Sequence, residues 1–317
     1  MQKKFLMSEQ ETAVQAAPKA DPSVRKKGPP VFLDMDQQEL DDNYDQIKYA
    51  PNQPQIVARY ASASVVTRTR LGEPQRLAYG QAAVEGFDLY AAPQPNAPIF
   101  IFIHGGAWRR GAAQDYSFPA EMVLGTGAHF IALDFDNVVT TKGDLMPMAD
   151  QVRRAVAWIF ANASHLGGDP RRLYVCGHSS GGHLAGVVLT TDWVRDFGLP
   201  TDPVRAGLLC SGMYDLTPVR LSARSSYVRF TDQVVEALSP LRHVDRLTCP
   251  VTVAHGTLET PEFQRQARAF VAAAQAAGKP AELLVGACYN HFEILETLAN
   301  PYGLLGHAAR AMMEPGR

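Results

Sequence analysis

The sequence predicts an α/β fold: a mostly parallel, eight-stranded sheet wound with helices on both faces. Three observations carry that expectation. From about residue 75 onward, short apolar runs alternate with helical patterns. Several of these runs are continuously apolar, as strands covered on both faces require. A chain of 317 residues, 46% hydrophobic and 20% charged, is long enough to bury one large domain of this kind.

Residues 1–30 are polar, aperiodic and Lys- and Pro-bearing, ending in Lys26-Lys27-Gly28-Pro29-Pro30, and read as a disordered tail. Residues 31–72 mix acidic and aromatic side chains with Pro51 and Pro54, and read as an N-terminal arm packed over the main domain. The main domain is expected over 73–317, with strands at 75–79, 87–91, 99–103, 129–134, 173–176, 206–210, 251–255 and 281–285. Between strands, Val152, Ala155, Val156, Ile159 and Phe160 repeat at helical spacing and mark one amphipathic face. A second helix begins at Pro261, which suits a first turn. It carries Phe263, Ala267, Phe270 and Val271 on one side and stops before Gly278 and Pro280. The stretch 215–247 breaks the rhythm. It reads as an insertion that joins the arm in a small cap over the carboxyl edge of the sheet, where ligands bind in such folds.

Composition excludes several functions. With 30 basic against 32 acidic side chains, the net charge of −2 supports neither nucleic acid nor a charged membrane as partner. No run of 18 apolar residues is present to span a bilayer, and Phe5-Leu6-Met7 is too short for a signal-peptide core. Cys176, Cys210, Cys249 and Cys288 form no C-x-x-C pair and read as free thiols in a reducing cytoplasm. No metal-ligand spacing and no phosphate-binding glycine loop occurs, so neither a metal nor a cofactor is expected.

The chemistry is announced at Gly177-His178-Ser179-Ser180-Gly181, which follows the apolar run Leu173-Tyr174-Val175-Cys176. Strand, G-x-S-x-G and a small-residue helix are the context of a nucleophile held on a sharp turn. A serine hydroxyl needs a base, and His291 lies just beyond the last expected strand. His178 and His183 flank the serine but read as pointing away and as packing, respectively. The base needs an orienting carboxylate, for which Glu259 follows the strand at 251–254, giving the order Ser, acid, His. Asp215 and Glu262 are the alternatives, with turn-capping and helix-dipole roles as their simpler readings. His104-Gly105-Gly106-Ala107-Trp108 follows the strand at 99–103 and offers an oxyanion hole from the amides of Gly106, Ala107 and Ser180. His104 reads as a brace for that loop.

Trp108 and Tyr289 adjoin these loops and are the candidate substrate contacts, while Phe292 reads as core. Arg109 and Arg110 read either as solvated loop charges or as partners for a substrate carboxylate. Arg224, Tyr227 and Arg229 are placed to wall the pocket from the cap.

The segments HGGAW, GHSSGGH, HGTLETPEF and YNHFE resemble those of the α/β-hydrolase superfamily. Within it they are similar to the kynurenine formamidase (arylformamidase) group, a relative of the hormone-sensitive-lipase-type esterases. The tryptophan ending the oxyanion loop and the Pro-Glu-Phe after the acid are the more specific parts, and the resemblance spans about residues 75 to 312. Two features depart from the group: the acid is glutamate where aspartate is more usual, and the first 70 residues have no placed counterpart. The resemblance implies a serine hydrolase that cleaves a small carboxylic ester or an aryl N-formyl amide through an acyl-enzyme on Ser179. A broad-specificity carboxylesterase is the alternative, and a non-catalytic binding protein on the same fold a remote one. The expected partner is a small-molecule substrate. The terminal helix and the arm could also pair two copies into a homodimer.

Overall fold

A computed structural model describes Arg25 and residues 27–314. Eight strands form one sheet: β1 Gln75–Ala78, β2 Gly86–Tyr90, β3 Ala97–Ile103, β4 His129–Leu133, β5 Gly168–His178, β6 Ala206–Cys210, β7 Val251–Gly256 and β8 Ala281–Gly286. Their order is β1-β2-β4-β3-β5-β6-β7-β8. Strand β2 pairs antiparallel with both β1 and β4, and the rest of the sheet is parallel. The sheet is the one the sequence predicts. Strand β5 begins at Gly168, ahead of its apolar run, because Gly168 already pairs with Ala97 beside an irregularity in the ladder.

The period of two along each strand builds two cores. Ile99, Ile101 and Ile103 of β3 face one side, packing with Val152, Val156 and Ile159 of the helix Met146–Asn162. Phe100 and Phe102 face the other, with Ile56, Tyr60, Leu305 and Ala309. Every residue of β3 is buried, which explains its unbroken apolar sequence. Among the described residues no helix is long and apolar enough to cross a membrane.

The arm contains the helices Gln37–Asn43 and Gln53–Leu71. The second places Ile56 and Tyr60 in the core, so the arm is part of the fold. Most of the tail expected at 1–30 lies outside the described residues. Of the remainder, Arg25 pairs with Asp36 at 2.7 Å, Lys27 with Glu39 at 2.8 Å, and Gly28 N–H donates to Asp36 at 2.7 Å. The insertion carries the helices Leu216–Leu221 and Asp232–Ala237.

Candidate active site

Ser179 stands at the end of β5, where the chain turns into the helix Ser180–Leu189. Its backbone is left-handed, with φ 57° and ψ −124°. Such a conformation costs a non-glycine residue about 1–3 kcal/mol and persists only where the surroundings fix it. The glycines make the turn sterically feasible. A Cβ on Gly177 would lie 2.1 Å from Gly181 O, and one on Gly181 would lie 2.1 Å from Ile103 O. Ser179 N–H donates to Cys210 O at 2.9 Å, locking the turn to β6.

His291 sits on the loop after β8. Its Nε2 lies 2.8 Å from Ser179 Oγ and its Nδ1 lies 3.0 Å from Glu259 Oε2. The geometry fits Nδ1–H donating to the carboxylate, which leaves Nε2 to accept from the serine hydroxyl. Glu259, 1% exposed, occupies the loop after β7. Its Oε1 accepts from Gly256 N–H and from Ser211 Oγ, each at 2.7 Å. Burial alone would raise this carboxyl's pKa. The hydrogen bond and charge of His291, with the donors Gly256 and Ser211, hold it below the usual carboxylate value instead. The alternatives are engaged elsewhere. Asp215 caps the helix Leu216–Leu221 by accepting from Thr217 N–H. Glu262 lies in the first turn of the helix Pro261–Ala276, bound by Arg265 and the Tyr44 hydroxyl.

The loop after β3 runs through three consecutive positive φ values, at Gly106, Ala107 and Trp108. Gly106 is obligatory, since a Cβ there would lie 2.0 Å from Arg110 O. Trp108 N–H is consumed by Ser180 Oγ at 3.1 Å. The amides of Gly106, Ala107 and Ser180 donate to no protein acceptor among the described residues. His104 braces the loop: Nδ1 bonds Gly105 O at 2.9 Å, and its ring stacks on Phe135 at 4.4 Å and Tyr116 at 5.4 Å.

Several expected roles change. Trp108 does not contact the cavity: it is 2% exposed, and its indole N–H donates to His183 Nδ1 at 3.2 Å. His183 Nε2 in turn bonds Leu238 O at 2.7 Å, so this pair ties the oxyanion loop to the cap. Tyr289 also stays off the cavity, packing against the second core because the turn after β8 directs it there. Phe292 packs against the second core, as read from the sequence, and also lines the cavity, where it meets His291 edge-on at 5.0 Å. His178 does not point away: it lines the cavity, and its Nε2–H donates to His291 O at 2.7 Å, fixing the base through its backbone. Burial and the neighbouring His291 push the His178 pKa down to about 3, so the ring is neutral and keeps one N–H. Ser211, with φ 55°, was not foreseen; its one sequence signal is its position directly after a strand.

The cavity holds about 760 Å³ and is lined by Ser179, His178, His291, Gly106, Ala107 and residues of the arm and cap. The arm grips both catalytic loops. Gln46 exchanges two hydrogen bonds with Thr260, each 3.3 Å, next to Glu259. Asn52 donates to Glu293 at 2.7 Å and accepts from Asn290 at 2.9 Å, on either side of His291. The Tyr60 hydroxyl donates to Phe292 O. Among the described residues, no three His, Cys, Asp or Glu side chains cluster to hold a metal ion.

Residues 87–202 match the BD-FAE family. The chain is 33% identical over 250 residues to the kynurenine formamidase of Danio rerio, covering 77% of this chain and 81% of that protein. It is 29% identical over 219 residues to Esterase LipC of Mycobacterium tuberculosis, covering 62% of this chain and 54% of that one. Its fold matches that of esterase LipW from Mycobacterium marinum with a TM-score of 0.68 at 18% identity, over 84% of this chain and 90% of that one. Taken with the strand order and the loops that bear the Ser, Glu and His, this extent of identity means that the chain belongs to the kynurenine formamidase family of the α/β-hydrolase superfamily.

Proposed function

We propose that the protein is a serine hydrolase cleaving an aryl N-formyl amide or a small carboxylic ester through an acyl-enzyme on Ser179. One observation carries the reading: the unbroken chain from Ser179 Oγ to His291 at 2.8 Å and from His291 to Glu259 at 3.0 Å. His291 takes the hydroxyl proton as Oγ bonds to the acyl carbon, and Glu259 stabilises the imidazolium that forms. The carbonyl oxygen, now negative, accepts from the amides of Gly106, Ala107 and Ser180, where each donor is worth about 10²–10³ in rate. His291 then passes the proton to the departing amine or alcohol. Water, deprotonated by the same histidine, releases the acid and restores Ser179.

The formamide reading rests on the Danio rerio relative. A broad carboxylesterase is the second reading, favoured by the similarity to Esterase LipC. The ratio of kcat/KM on aryl formamides to that on short-chain aryl esters separates the two. The cytoplasmic setting proposed for the reaction suits Cys176, Cys210 and Cys249, which are buried free thiols. Ser179→Ala should lower p-nitrophenyl ester turnover by on the order of 10⁴–10⁶ and abolish labelling by a fluorophosphonate. Turnover unchanged in the purified variant would end the proposal.

A further inference from the structure

One acceptor beside the nucleophile has no task in the reaction described above. His178 spends its Nε2–H on His291 O, 2.7 Å away. Burial and the neighbouring His291 keep the ring neutral, so Nδ1 carries a lone pair and no proton. Among the described residues no donor reaches Nδ1. Nor is it sealed in the core, as the unpartnered Nε2 atoms of His104 and His255 are, for the ring lines the cavity.

Glycine keeps the approach to this acceptor clear. A Cβ on Gly105 would lie 3.3 Å from His178 Nδ1 and 3.0 Å from Ser179 Cβ, so its absence leaves the space between acceptor and nucleophile open. The rings of His178 and His291 stand 4.9 Å apart. A group bonded to the acyl carbon on Ser179 therefore has two histidines within its surroundings. His291 Nε2 handles the proton, and His178 Nδ1 can only accept a hydrogen bond.

An amide needs such a pair and an ester does not. As Ser179 Oγ bonds to the acyl carbon, the amide nitrogen loses its conjugation and gains a lone pair. That lone pair must face His291 to receive the proton that makes the amine a leaving group. The nitrogen keeps its own N–H, and the direction in which that N–H is held fixes where the lone pair points. An ester oxygen has two lone pairs and no N–H, so it needs no such hold. It would also set a lone pair against that of Nδ1, which disfavours the wrong substrate.

We propose, resting on the hydrolase reading above, that His178 Nδ1 accepts the N–H of the scissile amide and thereby favours formamides over esters. The accepted N–H stays on nitrogen throughout. The second proton comes from His291, the C–N bond breaks, and the amine departs with both hydrogens.

The test compares formanilide with phenyl formate, which share the acyl group and the ring and differ only at the leaving atom. Ratios of kcat/KM report acylation and exclude the deacylation step that the two substrates share. The wild-type protein should cleave formanilide, and should cleave N-methylformanilide, which has no N–H, about tenfold less well or worse. His178→Gln carries an amide nitrogen to the place of Nε2, retaining a donor to His291 O, and leaves no acceptor at Nδ1. It should lower kcat/KM on formanilide about tenfold more than on phenyl formate. His178→Asn offers its amide oxygen near the place of Nδ1 but does not reach His291 O, and should slow both substrates by a similar factor. A formanilide-to-formate ratio unchanged in His178→Gln, or shifted equally in the two variants, would overturn the assignment. So would a wild-type protein that cleaves N-methylformanilide as readily as formanilide, or the formate alone; neither result needs a variant to fold. In all of these cases labelling of Ser179 by the fluorophosphonate keeps the hydrolase reading standing. Absence of labelling together with absence of turnover of either substrate defeats that reading instead.

Discussion

The floor and the roof of the cavity are held by different forces. The floor is backbone: Ser179, the loop Gly105 to Trp108 and Ser211 adopt left-handed or tightly packed conformations that strand ends and missing Cβ atoms dictate. The roof is side chain: Gln46, Asn52 and Tyr60 reach from the arm to loops more than 200 residues further along the chain. The floor cannot relax without breaking strands. The roof can loosen one hydrogen bond at a time. Catalytic geometry is therefore anchored below and trimmed from above.

The largest expected effect strikes the floor. Glu259→Gln keeps the shape but replaces an anion that accepts from Ser211, Gly256 and His291. By analogy with the corresponding Asp→Asn change in serine proteases, kcat should fall by about 10⁴, with little change in KM. A loss under tenfold would mean that the buried acid does not govern the histidine, and the distinction between floor and roof would fail at its centre.

Protonation offers an intermediate effect. Burial pushes His183 down to about 4, while burial and the nearby His291 push His178 to about 3. Both rings are neutral in the folded protein, whereas in the unfolded chain they take up protons near pH 6.5. The unfolded state thus binds more protons below that pH, and stability falls as pH falls from about 6.5 toward the folded values. Urea unfolding should show stability falling between about pH 6 and 4, with up to about 1.4 kcal/mol per pH unit from each of these two rings; His104 and His129, also lowered by burial, add in the same direction. His183→Gln should reduce the slope by its own share. A stability that is flat from pH 7 to 5 would contradict two neutral buried rings beneath the serine.

The smallest effect belongs to the roof. Asn52→Ala removes the bridge across His291 but leaves every floor contact in place. With a hydrogen bond worth about 0.5–1.5 kcal/mol net, kcat should drop about two- to tenfold. KM for a short ester and the rate of unfolding should change little. An unchanged kcat would show that the arm covers the site without positioning it.

Legibility followed the same division. The strands could be read because β3, β4, β6 and β7 are apolar runs whose burial leaves few alternatives. Ser179, His291 and Glu259 could be picked out because each sits where a strand gives way to a loop, and the chemistry admits few residue types there. Ser211 could not, since one serine after a strand looks like any other. Trp108 lies in the core and Phe292 reaches the cavity as well as the core for a related reason: the residues of a loop leave it in different directions, and only packing decides which of them face the cavity.

By itself, the sequence determined the alternation of strands and helices, the turn at Gly177 to Gly181 and the order of serine, acid and histidine. Those features are local, set by hydrophobic period, by glycine sterics and by the few side chains able to transfer a proton. Only the tertiary structure decided that the arm buckles the acid and base loops, that His178 holds the base through its backbone, and that Arg109 lies over the Tyr227 ring. These depend on contacts between residues far apart in the chain. Their partners are common polar side chains, and no local pattern distinguishes them from solvated surface until the fold brings them within hydrogen-bonding distance.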